Sequence, residues 1–320
     1  MRIAIVTPAA ASTRTGNRHT AQRYAAFLRA AGHRVHVASS WDGGDCDLML
    51  ALHARKSHAS IARFHACYPA RPLVVVLTGT DVYRDIRSDA AARESLELAT
   101  RLVTLQDQAG RELHRRLRAK VRVIYQSASV SRTPAPPGRR FRVCVIGHLR
   151  EEKDPFRAAL ALAHLPYERP IEIVHVGDAL SPEMADEARR LMRLDARYRW
   201  VGGVSHSRVL AWLARSHLLV VSSRMEGGAN VICEASRAGV PMVASRIPGN
   251  VGMLGREYSG YYPLEDERAL ARLIARASTD ARFYARLKTG TAARRNLFAP
   301  AAERRGVLAV VREASRAAER

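Results

Sequence analysis

Apolar residues in this chain gather into short runs of strand length, and between those runs they recur at helical spacing. The first part reads as a strand over residues 2–7, a helix over 19–31 closed by Gly32, and strands over 34–38 and 47–52. A helix over 56–67, a strand over 72–78, a helix near 88–99, a strand over 101–105, a helix over 108–118 and a strand over 121–125 follow. The stretch SASVSRTPAPPGRR, residues 127–140, has three prolines, one glycine and little apolar content, which marks a linker. Alternation then restarts, with strands at 141–147, 171–176, 198–201, 218–222 and 241–244. The helices of this half fall after Pro155, over 183–194, 207–214 and 231–238, and from 266 to 288.

Strand–helix alternation of this kind predicts α/β architecture: two Rossmann-like parallel-sheet domains facing across a cleft, with ligands at the carboxyl ends of the strands. The expected division is an N-terminal domain over 1–130, a linker over 131–140 and a C-terminal domain over 141–300. A last helix near 301–316 carries an apolar stripe, Val307, Leu308 and Val311, and is expected to pack back on the first domain.

Composition narrows the classes. The apolar run after Arg2 breaks at Pro8, too short for a signal peptide. No stretch approaches the roughly 18 consecutive apolar residues of a membrane span. A soluble, cytoplasmic protein is therefore expected. Four cysteines, Cys46, Cys67, Cys144 and Cys233, lie far apart, without a CxxC pair or a neighbouring His at ligand spacing. Neither a metal site nor a disulfide framework is expected.

Lysine plus arginine number 52 against 30 acidic residues, a net charge of +22. Nearly all of it is arginine, the lysines being only Lys56, Lys120, Lys153 and Lys288. Such charge suits nucleic acid or a membrane surface. Yet the arginines are dispersed along helices, and no aromatic-interleaved basic stripe or recognition-helix pattern accompanies them. Neither nucleic-acid binding nor stable membrane association is expected, and a positive surface also suits small anionic substrates.

The segment RMEGGANVICEASRAGVPMVASRIPGNVGM carries the most chemistry. A strand ends in a loop of Glu226, Gly227, Gly228 and Ala229, with a helix starting near Asn230, the expected N-cap. Small residues let the loop backbone approach a ligand, and a helix start offers unpaired N–H groups to a phosphate. Glu226 and Glu234, eight residues apart, are placed to hold two ends of a polar ligand. In the first half, TRTGNRHT packs Arg14, Thr15, Asn17, Arg18 and His19 around Gly16, where nothing structural demands such polar, cationic function. LTGTDVYRD follows a strictly apolar strand and brings Thr78, Thr80 and Asp81, while His53 closes another strand as a cleft residue or a capped core histidine.

On these residues the chain resembles the GT-B retaining glycosyltransferases of the group 1 (family 4) type. Glu226-x7-Glu234, Ala235, Gly239, Pro241 and Gly249 follow that family's signature in order, but Gly252 stands where a later glutamate is usual. The resemblance implies that Glu226 contacts the sugar, that Glu234 binds the ribose hydroxyls, and that the amides of Gly227, Gly228, Ala229 and Asn230 hold sugar and diphosphate. In VCVIGHLREEKDP, Gly147, Leu149, Glu152 and Lys153 match G-R-L-x-x-E-K-G, with His148 in the arginine's place and Arg150 close by. Lys153, expected near a helix start, and Arg150 would face the leaving diphosphate. Gly16 corresponds to the family's glycine loop, and T-G-T-D to its H-G-T-D segment, with Thr78 for the histidine.

Longer phrases are similar to one branch of the superfamily, the selenosugar synthases of selenoneine biosynthesis: NRHTAQRYAAFLRAAGHRV, LALHARKSHASIARF, VVVLTGTDVYRDI, VIYQSA, VIGHLREEKDPFRAAL and the segment from Ser222 to Gly255. That likeness implies transfer of a sugar from a UDP-sugar, typically UDP-GlcNAc, to the selenium of selenophosphate, without a cofactor or metal. Arg14, Arg18 and His19 would then draw in the anion. Two other readings stay open. One is an ordinary glycosyltransferase with a sugar or lipid hydroxyl acceptor, where a lipid would use helix 108–118 and its Arg111, Arg115, Arg116 and Arg118. The other is a nucleic-acid-binding protein using the +22 charge.

Overall fold

A computed structural model describes residues 1–8, 16–130 and 140–318. Arg14 and Thr15, and most of the linker, lie outside the described residues. Two compact units are formed. The first comprises Met1–Gln126, Glu226–Gly228 and Pro300–Arg320, and the second Ser127–Met225 and Ala229–Ala299.

In the first unit the order is β1 (Arg2–Val6), α1 (Gly16–Arg29), β2 (Arg34–Ala38), β3 (Leu48–Leu52), α2 (His58–Cys67) and β4 (Leu73–Leu77). A wide turn, Asp81–Asp85, runs into α3 (Ile86–Ser88), followed by α4 (Ala90–Leu98), β5 (Arg101–Thr104) and β6 (Val121–Val123). The second unit has β7 (Phe141–Ile146), α5 (Arg157–Ala161), β8 (Ile171–Val176), α6 (Pro182–Leu194), β9 (Tyr198–Trp200), α7 (His206–Ala214) and β10 (Leu218–Val221). It continues with α8 (Asn230–Ala238), β11 (Met242–Ser245), α9 (Pro248–Leu254), β12 (Tyr261–Tyr262), α10 (Glu267–Thr279) and α11 (Ala281–Ala293). The last helix, α12 (Pro300–Ala318), belongs to the first unit.

Each unit holds a six-stranded sheet whose pairings are all parallel. The orders are β2-β1-β3-β4-β5-β6 and β12-β11-β10-β7-β8-β9. Strand order reverses between β1 and β3 in the first sheet and between β7 and β10 in the second. In a doubly wound sheet, that reversal opens a crevice at the carboxyl ends of the strands.

Unbroken apolar runs in the central strands explain their two-faced burial. LVVVL of β4 is buried throughout, its alternate side chains feeding opposite layers. Val74 and Val76 join Ile3, Ile5, Leu48 and Leu50 beneath α1 and α12, through Tyr24, Leu28, Val307 and Val311. Leu73, Val75 and Leu77 join Met49, Leu102, Phe64 and Leu96 on the other face. Arg23 of α1 donates to both carboxylate oxygens of the fully buried Glu303 in α12, from Nε at 3.0 and 3.2 Å. A charge-assisted pair thus holds α12 to α1 beside the apolar contact.

One expected helix is absent. Residues 108–118 form two short 3₁₀ segments, Ala109–Glu112 and Arg115–Lys120, because Leu113 is extended. Arg118 donates from Nε to the Leu113 carbonyl (3.1 Å) and from Nη2 to that of Arg111 (2.8 Å), taking carbonyls that a continuous helix would have used itself. The basic amphipathic helix that a lipid acceptor would use is therefore not formed. Among the described residues no helix is long and apolar enough to cross a membrane. The four cysteines are free thiols, Cys67 exposed and the others buried.

Candidate functional site

The segments singled out in the second half leave the two strands at its reversal point. After β7, Gly147 leads to His148, Arg150 and a 3₁₀ turn Glu151–Lys153. After β10, Ser222–Met225 follows. Backbone N–H groups of Arg224 and Met225 donate to the Glu152 carbonyl at 2.9 and 3.4 Å, and Ser222 Oγ donates to the carbonyls of Lys153 (3.0 Å) and Asp154 (2.8 Å). The two loops are thereby one structure. Lys153 does not stand at a helix start, as the sequence suggests: Asp154 takes a left-handed conformation (φ 43°), and α5 begins only at Arg157. Its methylenes instead run beside Gly147, where a Cβ would lie 3.9 Å from Lys153 Cγ and Cδ. Arg150 is exposed, and His148 Nδ1 accepts from the Asp178 N–H at 3.2 Å.

Beneath Gly147 lies a buried triad that the sequence reading missed. His175, inside β8, is 1% exposed, with Nε2 3.2 Å from the Gly147 carbonyl and Nδ1 3.1 Å from the Tyr198 hydroxyl. The neutral Nε2–H tautomer donates to Gly147 and accepts from Tyr198, which satisfies every partner. Burial pushes its pKa down to about 4. Gly177 seals the same turn, since a Cβ there would sit 1.9 Å from the Gly147 oxygen. A histidine within an apolar strand, with a glycine two residues on, was the available signal.

Helix α8 begins at Asn230, so Ala229 is the cap residue and caps with no side chain; the expected Asn230 cap is corrected by one position. Glu234, one turn in, is mostly buried, and its Oε1 lies 2.8 Å from Nε2 of His206, the first residue of α7. Nothing in the sequence reading pointed to His206, although it starts the helix that follows β9, at the same sheet edge. Gly252 lies in α9, its carbonyl accepting from Arg294 Nη2 at 3.2 Å.

In the first unit, the strand ends at and beside the reversal point carry His53, Thr78, Thr80 and Asp81. Asp81 is fully buried. Its Oδ1 accepts from the N–H groups of Thr78 (2.9 Å), Gly79 (2.8 Å) and Val82 (3.1 Å), and its Oδ2 from that of Ala54 (3.0 Å). It therefore organises the loops after β3 and β4, and presents no exposed oxygen to take a proton. His53 is 2% exposed at φ 72°, a conformation that only surrounding contacts sustain for a non-glycine residue. Its Nδ1 accepts from the Lys56 N–H (3.3 Å), so Nε2 carries the hydrogen and donates to Thr80 Oγ1 at 3.0 Å. Burial lowers its pKa, opposed by the carboxylates of Asp81 and Asp85. Gly16 starts α1, where Asn17 and Arg18 are half-buried, His19 is exposed and Thr20 Oγ1 donates to the Gly16 carbonyl at 3.0 Å.

Glu226, 7% exposed, belongs with Gly227 and Gly228 to the first unit. A Cβ on Gly227 would lie 2.3 Å from the Thr78 carbonyl carbon and oxygen, and one on Gly228 would lie 2.7 Å from Leu105 Cβ. Close approach of the Thr78 and Gly79 backbone at Gly227, and of the Leu105 and Gln126 side chains at Gly228, requires these glycines. Among the described residues no group of His, Cys, Asp and Glu is arranged to hold a metal ion.

Solved structures with the same fold include HepE of Anabaena, determined with UDP and glucose: TM-score 0.76, 16% identity, 98% of this chain and 99% of that one covered. Sucrose-phosphate synthase of Thermosynechococcus elongatus superposes with TM-score 0.79 at 17% identity over 98% of each chain. A glycosyltransferase of Rickettsia africae does so with 0.75 at 14%, again over 98% of each. The fold is GT-B. Residues 129–295 match the model of the glycosyl transferases group 1 family, and the chain belongs to that family.

Proposed function

We propose that the protein transfers a sugar, GlcNAc by the branch it resembles, from a UDP-sugar to the selenium of selenophosphate. The observation that carries the donor half is the joined pair of loops after β7 and β10, which brings Lys153 to the reversal point of the second sheet. HepE, of the same fold, was determined with UDP-glucose as well as with UDP, which supports a UDP-sugar here.

In this reading Glu234 grips the ribose and Glu226 the sugar hydroxyls. Lys153 and Arg150 neutralise charge gathering on the diphosphate as the anomeric C–O bond breaks, aided by N–H groups of Gly227, Gly228, Ala229 and Asn230. His148 and Gly147 line the same donor loop, and Gly16 faces the diphosphate. Arg14, Thr15, Asn17, Arg18 and His19 draw in the selenophosphate anion, with His53, Thr78 and Thr80 beside them and Asp81 holding the loop. Selenium attacks the anomeric carbon, UDP departs with the bonding pair, and water cleaves the Se–P bond to give phosphate and a 1-selenosugar. An ionised selenium nucleophile needs no general base, in keeping with the buried, fully engaged Asp81 carboxylate. The test is incubation with UDP-GlcNAc and selenophosphate, followed by mass spectrometry. UDP with a selenosugar is expected; UDP release only onto a hydroxyl acceptor would overturn the selenium step and leave the donor half standing.

A further inference from the structure

We infer that His206 is a positioning residue for the donor's ribose, acting through Glu234. The inference rests on the reading of Glu234 as the ribose ligand. A glutamate side chain has three rotatable bonds, and freezing them on ligand binding costs conformational entropy. Here that carboxylate is already oriented: Oε1 lies 2.8 Å from His206 Nε2, across 28 residues of sequence. Nε2–H donation to Oε1 leaves the Oε2 lone pairs and one on Oε1 to accept from a hydroxyl pair. Glu234 is 12% exposed and His206 60%, so the imidazole lies on the solvent side of the carboxylate.

The histidine itself is held in place. Strand β9 ends at Trp200, Gly202 turns the chain at φ 70°, and its carbonyl accepts from the Gly177 N–H at 2.9 Å. Only three residues then separate that anchor from His206 at the start of α7, which packs on α8. The ring thus arrives from one short, tied segment and the carboxylate from a helix beside it. A single hydrogen bond of this kind contributes little to folding, about 1 kcal/mol; its consequence is for the ligand.

The test compares binding of UDP and of 2′,3′-dideoxy-UDP, by calorimetry, to the parent protein and to His206→Ala, His206→Gln and Glu234→Ala. His206→Ala is expected to weaken UDP by about threefold to tenfold and the dideoxy ligand by less than about twofold, the loss of one oriented hydrogen bond. His206→Gln, which offers an N–H at similar reach, should recover most of the UDP affinity. In turnover, the His206→Ala effect should fall on the donor KM far more than on kcat. Equal weakening of both ligands by His206→Ala, or none of either, would overturn the inference. If Glu234→Ala still distinguishes UDP from the dideoxy ligand as the parent does, it is the ribose reading of Glu234 that fails.

Discussion

Acid should cost this protein stability through His175, a residue that touches no substrate. Its imidazole is buried and neutral, with a folded pKa of about 4 against 6.5 for the ordinary side chain. Because the folded pKa is the lower one, the unfolded chain binds the proton first. The stabilisation is complete above pH 6.5 and is lost as pH falls toward about 4. At about 1.4 kcal/mol per pKa unit, the loss approaches about 2.5 kcal/mol by about pH 4.5. That is a sizeable share of a typical domain's stability of about 5–15 kcal/mol.

Carboxylates titrate over the same range, so the measurement must be a difference. His175→Gln keeps an N–H for the Gly147 carbonyl but does not titrate. Urea unfolding followed by tryptophan fluorescence suits it, since Trp200 and Trp212 both lie in the second unit. Near neutrality the variant should be less stable by about 1 kcal/mol, through the lost Tyr198 bond and imperfect packing. On acidification the two stabilities should converge and cross, the parent falling faster by about 2.5 kcal/mol. Parallel curves would refute the argument, because His175 would then have been protonated in the fold, or equally accessible in both states.

Gly227→Ala places a Cβ 2.3 Å from the Thr78 backbone, so the loop must move; a loss of transfer activity of at least about tenfold is expected, with a lowered melting temperature. A variant that melts and turns over like the parent would sink that reading. Arg23→Ala removes the guanidinium paired with the buried Glu303 carboxylate and should cost about 3 kcal/mol in urea unfolding, whereas Glu303→Gln, which removes the buried negative charge itself, should cost clearly less. Lys153→Ala should lower kcat/KM by roughly tenfold to a hundredfold if its ammonium faces the leaving diphosphate. An unchanged kcat/KM would place that cation away from the reaction.

Much of the fold could be read in the chain because strands buried on both faces, such as LVVVL in β4, announce themselves as unbroken apolar runs. What escaped was set by tertiary contacts. Residues 108–118 have helical spacing, yet Arg118 binds the carbonyls of Leu113 and Arg111 and the helix divides. Two-residue β12 is too short to show any period. Gly227 and Gly228 were visible because positions too close to neighbouring atoms for a side chain must be glycine. His206 and His175 were not, since nothing near them in sequence names Glu234 or Gly147; only the order of strands brings them together.

Thr78 decides how far the acceptor could be read at all. In T-G-T-D it is the Thr78 N–H, not its side chain, that binds Asp81, and it is the Thr78 backbone against which Gly227 packs. The loop is therefore held without the Thr78 side chain, and the half-buried Thr78 keeps some surface for the proposed acceptor. Thr78→His should then melt close to the parent, within about 0.5 kcal/mol of stability, while, under the proposed selenium reaction, its activity shifts toward hydroxyl acceptors, which gain from a nearby base. The check is the ratio of kcat/KM values for the two acceptor types with one donor. If the variant is folded and that ratio stays put, position 78 does not read the acceptor.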